Sequence, residues 1–262
     1  RVLFRSSPGV VAFGRVALGA AALAAFPAAR RSIARPDWGR LAVVAALGNA
    51  APALLYAVAE TELDSAVAGM ITSGVPILSL AVASVLMRRL PGRSQAIGIS
   101  LGFVGIILMT WPSLRGTEAS PMGVGLFFRA TLGYAISGNM LVPLQQRYGG
   151  PAVTMWALAV SAVLLSPVGA ATIADSEFTA GSVLAVVILG VVGTGIARSL
   201  AATLAGRAGA PRMSTTTYLI PVVAIALGVT FRDESVAPMA LAGVGIVLLG
   251  AFVASRAVTT TE

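Results

Sequence analysis

The chain has 262 residues, of which 57% are apolar and 11% are charged, and its mean hydropathy is +0.90. A soluble domain has about 25% charged residues, so 18 basic and 10 acidic side chains are too few to cover a soluble fold of this length. The net charge of +8 is carried by arginines scattered between apolar blocks. These numbers exclude a soluble enzyme, a disordered tail and a nucleic-acid-binding domain, and they predict a polytopic membrane protein.

Nine apolar runs follow one another along the chain, and each is long enough to be a membrane-spanning helix of about 20 residues. The predicted spans are Val10–Ala29, Leu41–Ala59, Ala66–Met87, Ala96–Trp111, Met122–Leu144, Ala152–Ile173, Val183–Leu204, Met213–Phe231 and Val236–Ala254. The connections between them are short and leave no room for a soluble domain. Consecutive helices are therefore expected to be antiparallel neighbours.

The loop arginines are unequally distributed between the two sides of the membrane. One side has eleven arginines and two acidic residues, whereas the other has four arginines and eight acidic residues. The eleven are Arg30, Arg31, Arg35, Arg40, Arg88, Arg89, Arg93, Arg147, Arg207, Arg212 and Arg256. Since cytoplasmic loops are enriched in Lys and Arg, we expect this side and the C-terminus to be cytoplasmic. The expected location is the plasma membrane, in bacteria the inner membrane, with a multi-pass topology.

This topology places Arg1 on the outer side. Residues 2–4 (VLF) resemble the end of an earlier apolar helix. We therefore expect one further span before Arg1 and ten helices in the complete protein.

An internal repeat is visible when the sequence is shifted by 145 residues. The shift superimposes Thr72 on Thr217, Pro76 on Pro221, Gly98 on Gly243 and Gly105 on Gly250. With the further span included, each half has five helices, and an odd number makes the second half enter the membrane from the opposite side. Inverted repeats of this kind are typical of secondary transporters.

Five segments carry a resemblance to a known family. They are SPGVVAFGRVALGAAAL, ITSGVPILSLAVASVLMRRL, QAIGISLGFVGIIL, STTTYLIPVVAIALGVTFRDES and MALAGVGIVLLGAFV. They resemble helices of the drug/metabolite transporter superfamily, EamA type. Glu234 stands where this family usually has a glutamate, in the second half of the chain. The corresponding place in the first half holds Arg89, which departs from the family pattern. The resemblance implies an all-α polytopic membrane protein with an inverted repeat of five-helix units, nine spans being present here. The first repeat would comprise residues 1–115, without its N-terminal helix, and the second residues 116–262.

The resemblance also implies a transporter that moves a small organic solute or metabolite by alternating access, with efflux as one possible direction. The alternative is a membrane protein that does not transport, either a scaffold or an intramembrane enzyme. The chain has no His or Cys, and it lacks a recognisable nucleophile–base pair or metal cluster. We therefore expect no enzymatic activity, no catalytic residue, no metal and no cofactor. The expected partners are the lipid bilayer and a small-molecule substrate, not nucleic acid, and the oligomeric state and the coupling ion stay open.

Polar side chains and prolines inside the spans are the candidate site residues. The candidates for a substrate cavity are Asn49, Tyr56, Thr72, Ser73, Asn139, Trp156, Arg198, Thr216, Thr217 and Tyr218. Pro76 and Pro221 lie in mid-span and are candidate hinges, because paired helix breaks in corresponding places often mark a transport site. The alternatives are hydrogen bonds to neighbouring helices or to the preceding turn for the polar groups, and kinks tolerated by packing for the prolines.

Three arginines lie within predicted spans, whereas no Asp or Glu does. Arg15 and Arg129 are close enough to a span end to extend to the interface, so we interpret them as snorkelling or anchoring side chains. Arg198 follows the glycine-rich run LGVVGTGIA, and a role in lining the transport path or binding an anionic group is as compatible with the sequence as a snorkelling or anchoring role. Without a carboxylate or His inside a span, proton exchange has no obvious carrier.

Overall fold

The computed structural model describes residues 7–59, 71, 74–88, 90–111, 120–176, 178–219, 223 and 238–255. Every regular element within these ranges is helical, which confirms the predicted all-α class. The α-helices are α1 (Pro8–Ala24), α2 (Trp38–Ala45), α3 (Ala51–Ala59), α4 (Val75–Met87), α5 (Arg93–Thr110), α6 (Pro121–Tyr148), α7 (Gly150–Ala171), α8 (Ala180–Ile188), α9 (Ala197–Ala208), α10 (Ala210–Ser214) and α11 (Pro238–Ser255). Two π-helical segments, π1 (Ala46–Ala50) and π2 (Leu189–Ile196), join α2 to α3 and α8 to α9.

All nine predicted spans contain helix in their described parts, although most of Met213–Phe231 lies outside the described residues. Among the described residues, three helical stretches are long and apolar enough to cross a membrane, namely Arg35–Tyr56, Gly150–Ala171 and Ala180–Ala208. Four shorter apolar helices accompany them.

Large apolar side chains are exposed on these helices. Val163 on α7 is 72% exposed and Leu200 on α9 is 67% exposed. Exposed apolar surface of this kind is favourable against lipid tails.

The chain forms two compact units. The first contains Arg1–Ala57 and Ile136–Gly209, and the second contains Val58–Ala135 and Ala210–Glu262. Helix α6 therefore contributes residues to both. The compact units are defined by packing, whereas the repeats are defined by sequence similarity. The repeat boundary between residues 115 and 116 therefore stays a prediction.

In the first unit, α1 and α7 pack antiparallel at very short range. A Cβ atom on Gly9 would meet Thr172 and Val168 near the end of α7, whereas one on Gly19 would meet Leu158 in its middle. Small residues of this kind let helix backbones approach closely where lipid supplies no hydrophobic driving force.

In the second unit, the sequence-matched helices α5 and α11 pack against each other. A Cβ atom on Gly98 would meet the Gly250 carbonyl oxygen, and one on Gly105 would meet the Gly243 carbonyl oxygen. Because Gly98 corresponds to Gly243 and Gly105 to Gly250, each glycine contacts the counterpart of the other, as in a two-fold symmetric interface. The two helices run antiparallel, which agrees with the inverted orientation predicted from the repeat.

We predict that Gly250→Leu destabilises the protein, whereas Gly245→Leu on the same helix does not. A side chain at Gly250 would meet the backbone of Gly98 and Gly102, but nothing lies within 4 Å of a Cβ at Gly245. Overpacking of this kind costs about 1–3 kcal/mol. Thermal unfolding of the purified variants in detergent measures the difference, and equal melting temperatures would contradict the described packing.

Two of the described connections consist of a single glycine between helices. Gly149 separates α6 from α7 with φ +87° and ψ 153°, and Gly209 separates α9 from α10 with φ +84° and ψ 155°. In each, the glycine N–H donates to the carbonyl oxygen four residues earlier, Gln145 or Ala205, at 2.8 Å. This backbone region is open essentially to glycine alone.

We predict that Gly149→Ala lowers stability by about 1–3 kcal/mol, because a Cβ atom strains this backbone conformation. Nothing lies within 4 Å of a Cβ built on Gly149, so the effect comes from the backbone and not from a clash. The matched control is Gly39→Ala, an equally open glycine in α2 without a positive φ. Thermal unfolding in detergent should show a loss for the first variant and no loss for the control.

Candidate functional site

The two π-helical segments belong to the first unit, and both contain glycine. Their sequences are ALGNA for π1 and LGVVGTGI for π2. A Cβ atom on Gly19 of α1 would meet the backbone of Gly190 and Gly195, so π2 lies directly against α1. π-Helical segments are rare and occur frequently at functional sites, because the extra residue in the turn changes where carbonyls and side chains point.

Arg198 connects the second π segment to the first. Its Nη1 donates to the Gly48 carbonyl oxygen at 2.9 Å and also to Asn49 Oδ1. Gly48 and Asn49 are both in π1, and the Asn49 side chain is buried. The guanidinium of Arg198, which lies two positions beyond the end of π2, is thus bound by neutral acceptors of π1.

Arg15 reaches π2 from α1. Its Nε donates to Thr194 Oγ1 at 3.1 Å, and the same hydroxyl donates to the Leu189 carbonyl oxygen at 2.9 Å. Thr194 is buried, and it lies four residues before Arg198. Residues about one turn apart lie on the same face of a helix, so α1 brings the Arg15 side chain to the face that carries Arg198.

Arg15 and Arg198 each bring a positive charge into a predicted span. An arginine in the centre of a membrane helix costs about 2.5–3.5 kcal/mol on insertion scales. The partners described above, a hydroxyl, a carboxamide and a backbone carbonyl, are all neutral. In the described part of the first unit the acidic residues are Asp37 and Asp175, and both lie outside the predicted spans.

Asp37 is paired with another arginine at the end of α6. Its Oδ2 lies 2.8 Å from Arg147 Nη1 and accepts a hydrogen bond from Tyr148 Oη at 2.5 Å. Tyr148 Oη in turn accepts from the Ala34 N–H at 3.2 Å. This carboxylate therefore fastens the segment before α2 to the end of α6.

Hydroxyl groups from neighbouring helices bind the backbone just before π1. Ser137 Oγ donates to the Val44 carbonyl oxygen, and Ser161 Oγ donates to the Ala45 carbonyl oxygen, each at 3.1 Å. Where a helix changes from α to π geometry its carbonyls change partners, and donors from outside stabilise the change. Asn139 is buried in α6 two residues after Ser137.

Two further predicted cavity residues of the first unit are Tyr56 and Trp156. Tyr56 is half-buried in α3. The Trp156 ring packs edge-on against Trp38, with centroids 5.4 Å apart, and its Nε1 donates to the Arg31 carbonyl oxygen at 3.1 Å. Among the predicted candidates, the structure thus joins Asn49 and Arg198 directly.

The candidates of the second unit lie in and around a short 3₁₀ turn after α10. Thr216 is exposed and donates to the Met213 carbonyl oxygen at 2.7 Å, and Thr217 is half-buried. Tyr218 is fully buried, and its Oη donates to the Ile99 carbonyl oxygen at 2.9 Å. The remaining candidates, Thr72 and Ser73, lie outside the described residues. A cavity role for all of these residues stays a prediction.

The structure places Pro76 differently from its predicted mid-helix position. Pro76 is the second residue of α4, after a turn in which the Gly74 N–H donates to the Ile71 carbonyl oxygen at 3.0 Å. Proline fits the first turn of a helix because the N–H groups there have no partner within the helix. Pro221 lies outside the described residues, and the hinge role of both prolines stays a prediction.

Sequence reasoning missed two residues of this site. Arg15 was interpreted as a snorkelling or anchoring side chain, and Thr194 was not singled out. The spacing of four between Thr194 and Arg198 indicates that they share a helix face, but nothing in the sequence indicates that α1 packs there. Arg129, the third arginine within a span, is exposed on α6.

The described residues offer no cluster of three acidic side chains that could hold a metal ion. With no His or Cys in the sequence, the chemistry of the described site is hydrogen bonding and positive charge.

We predict that Thr194→Val destabilises the protein more than Thr203→Val. The first change removes an acceptor of Arg15 and a donor to Leu189, whereas the Thr203 hydroxyl bonds to the carbonyl oxygen of Ser199 one turn earlier in the same helix. Because a half-buried charged donor would lose a partner, the expected difference is about 1–2 kcal/mol. Thermal unfolding in detergent measures it, and an equal effect of the two variants would show that the Arg15 contact contributes nothing.

Comparison with known proteins gives a family and several relatives. The chain matches the sequence profile of the EamA-like transporter family over residues 1–111 and 121–256. A protein of Archaeoglobus fulgidus described as an uncharacterized transporter is 25% identical over 225 residues, which cover 85% of this chain and 80% of the relative. A protein of Salmonella typhimurium described as a probable amino-acid metabolite efflux pump is 24% identical over 213 residues, or 77% of this chain and 71% of the relative.

A solved crystal structure has a similar fold. It superposes with a TM-score of 0.78, covers 97% of this chain and 90% of its own, and is 18% identical in sequence. This likeness agrees with an all-α polytopic fold.

Proposed function

This chain belongs to the EamA-like transporter family, and from that premise we propose that it moves a small organic solute or metabolite by alternating access. The predicted resemblance to EamA-type proteins is thereby confirmed. Both relatives carry names of transporters and not of enzymes, and the chain is a membrane protein that transports small solutes. The substrate, the direction and the alternating-access mechanism are the parts that we propose.

The observation that carries the proposal is the polar site on the two π segments. Within predicted spans, Arg198 is bound to Gly48 and Asn49, and Arg15 is bound to Thr194. Ionisable residues inside the membrane are costly, and they commonly mark substrate or ion pathways. A scaffold that uses its glycine faces only for packing has no need of such a site.

We propose export as the direction and metabolites of the size of amino acids as the first substrates to test. The support is the Salmonella typhimurium relative, whose name describes amino-acid metabolite efflux. The cavity candidates Asn49, Asn139 and Arg198 are the residues of the first unit that we expect to contact the solute.

We further propose a plasma-membrane location, in bacteria the inner membrane, with a cytoplasmic C-terminus. The support is the arginine asymmetry of the loops. In this orientation the Asp37–Arg147 pair lies on the cytoplasmic side.

The full chain reconstituted in liposomes tests the function with a panel of amino acids, nucleosides and amphipathic drugs. We expect time-dependent transport of at least one class above protein-free liposomes. Asn49→Ala should reduce this transport because it removes a buried acceptor of Arg198, whereas Ser166→Ala at an exposed serine should not.

Absence of transport for the whole panel by protein that is folded and monodisperse would contradict the proposal in favour of a scaffold. The same preparation tests whether transport is coupled to protons, because the rate of proton-coupled transport would change under an imposed pH gradient. With no Asp, Glu or His inside a predicted span, we expect transport that does not depend on that gradient.

A further inference from the structure

Exposed arginines gather at one end of the first unit, around the segment between α1 and α2. We propose that this arginine surface binds the phosphate headgroups of anionic phospholipids. The inference needs neither a transported solute nor a direction of transport, so it goes beyond the proposed function and stands or fails separately from it. The surface comprises Arg30, Arg31, Arg35, Arg40 and Arg147, all of which are exposed.

The segment that carries three of these arginines is packed against the helices by its apolar side chains. It contains two short 3₁₀ turns, Pro27–Arg30 and Arg35–Asp37. Ala29 is fully buried in a cluster with residues of α1 and α7, and Ile33 is buried in a cluster with residues of α2, α6 and α7. The backbone beneath the arginines is therefore fixed before a ligand binds, which lowers the entropic cost of binding.

Two tryptophans fix the same segment and indicate its depth in the membrane. Trp156 Nε1 donates to the Arg31 carbonyl oxygen at 3.1 Å, and Trp38 Nε1 donates to the Ile33 carbonyl oxygen at 3.2 Å. The two indole rings also pack against each other. Because tryptophan is enriched at the level of the lipid headgroups, we expect the arginine surface to lie at the depth of the lipid phosphates.

The arginine surface has an excess of positive charge. Asp37 is its acidic residue within the described part of the chain, and this carboxylate is already bound to Arg147 at 2.8 Å. The other four arginines exceed what Asp37 can balance. Phosphate groups are the anions that a lipid surface offers at this depth, and a planar guanidinium binds two oxygens of one phosphate at once. Clusters of arginines beside membrane helices are typical of surfaces that attract anionic lipids.

Arg31 and Arg35 are the side chains to test. Arg30 and Arg147 donate hydrogen bonds to other groups of the protein, so replacing them would also disturb its packing. The contact between Arg31 and Trp156 uses the Arg31 backbone carbonyl and is kept when the side chain is changed.

Tryptophan fluorescence measures the binding, because two of the three tryptophans of the sequence, Trp38 and Trp156, lie beside the surface. The full chain with Trp111→Phe, a change at an exposed position, is reconstituted in phosphatidylcholine vesicles that contain some phosphatidylglycerol. One lipid at a time carries bromine on its acyl chains, and bromine quenches the indoles that the lipid contacts. We expect phosphatidylglycerol to be enriched about tenfold over phosphatidylcholine at these indoles. The enrichment should fall in about 1 M salt, which screens the charges.

Two double variants locate the site. Arg31→Gln combined with Arg35→Gln should lower the enrichment to about twofold or less, because two guanidinium groups are lost. Arg88→Gln combined with Arg93→Gln is the matched control, since it removes two exposed arginines from the second unit and should leave the enrichment unchanged. Both double variants should melt at the temperature of the parent in neutral detergent, because the replaced side chains are exposed.

Three outcomes would overturn the proposal. The first is equal quenching by the two brominated lipids, and the second is an equal loss of enrichment in the two double variants, which would show attraction to the net charge alone. The third is displacement of phosphatidylglycerol by inorganic phosphate at constant ionic strength, which would assign the surface to free phosphate. None of these measurements depends on transport, so their failure leaves the proposed function standing, and absence of transport leaves the lipid site standing.

Discussion

The backbone of a membrane helix must satisfy its hydrogen bonds within the protein, because lipid offers neither donors nor acceptors. In the described part of the chain, both π-helical segments are accompanied by side-chain hydrogen bonds to the backbone. Ser137 and Ser161 donate to the carbonyls that precede π1, and Thr194 donates to the Leu189 carbonyl inside π2. Both π segments therefore lie where side chains reach the backbone, and the polar site occupies this place.

The same constraint explains the distribution of small residues. Gly19 against Gly190 and Gly195 brings α1 close enough for the Arg15 side chain to reach Thr194. Larger residues at these positions would hold the helices apart and leave the guanidinium without that hydroxyl. These glycines therefore serve the polar site as well as the packing, because the close approach that they allow determines which polar groups come into contact.

The fold class could be predicted from the sequence because composition and apolar run length are averages over many residues. The antiparallel packing of α5 and α11 agrees with the repeat, which was visible through Gly98, Gly105 and their counterparts. Arg198 and Asn49 could be predicted only as two members of a list of polar candidates. Their contact could not be predicted, because pairing between residues 149 positions apart depends on how the helices are rotated about their axes. The π segments were not predicted, because their sequences are typical of ordinary apolar helix. The start of α4 at Val75 was not predicted either, because it depends on a turn at Gly74 that lies within a continuous apolar run.

The single-residue connection at Gly149 has a consequence for how the chain enters the bilayer. A linker of one residue leaves no slack between α6 and α7, and Leu144 and Tyr148 share a core cluster with Val153 and Ala157 across the turn. We therefore expect the two helices to partition into the membrane together as a helical hairpin. The first unit is complete only when this hairpin packs with the residues up to Ala57, which precede it in the chain, and with those up to Gly209, which follow it.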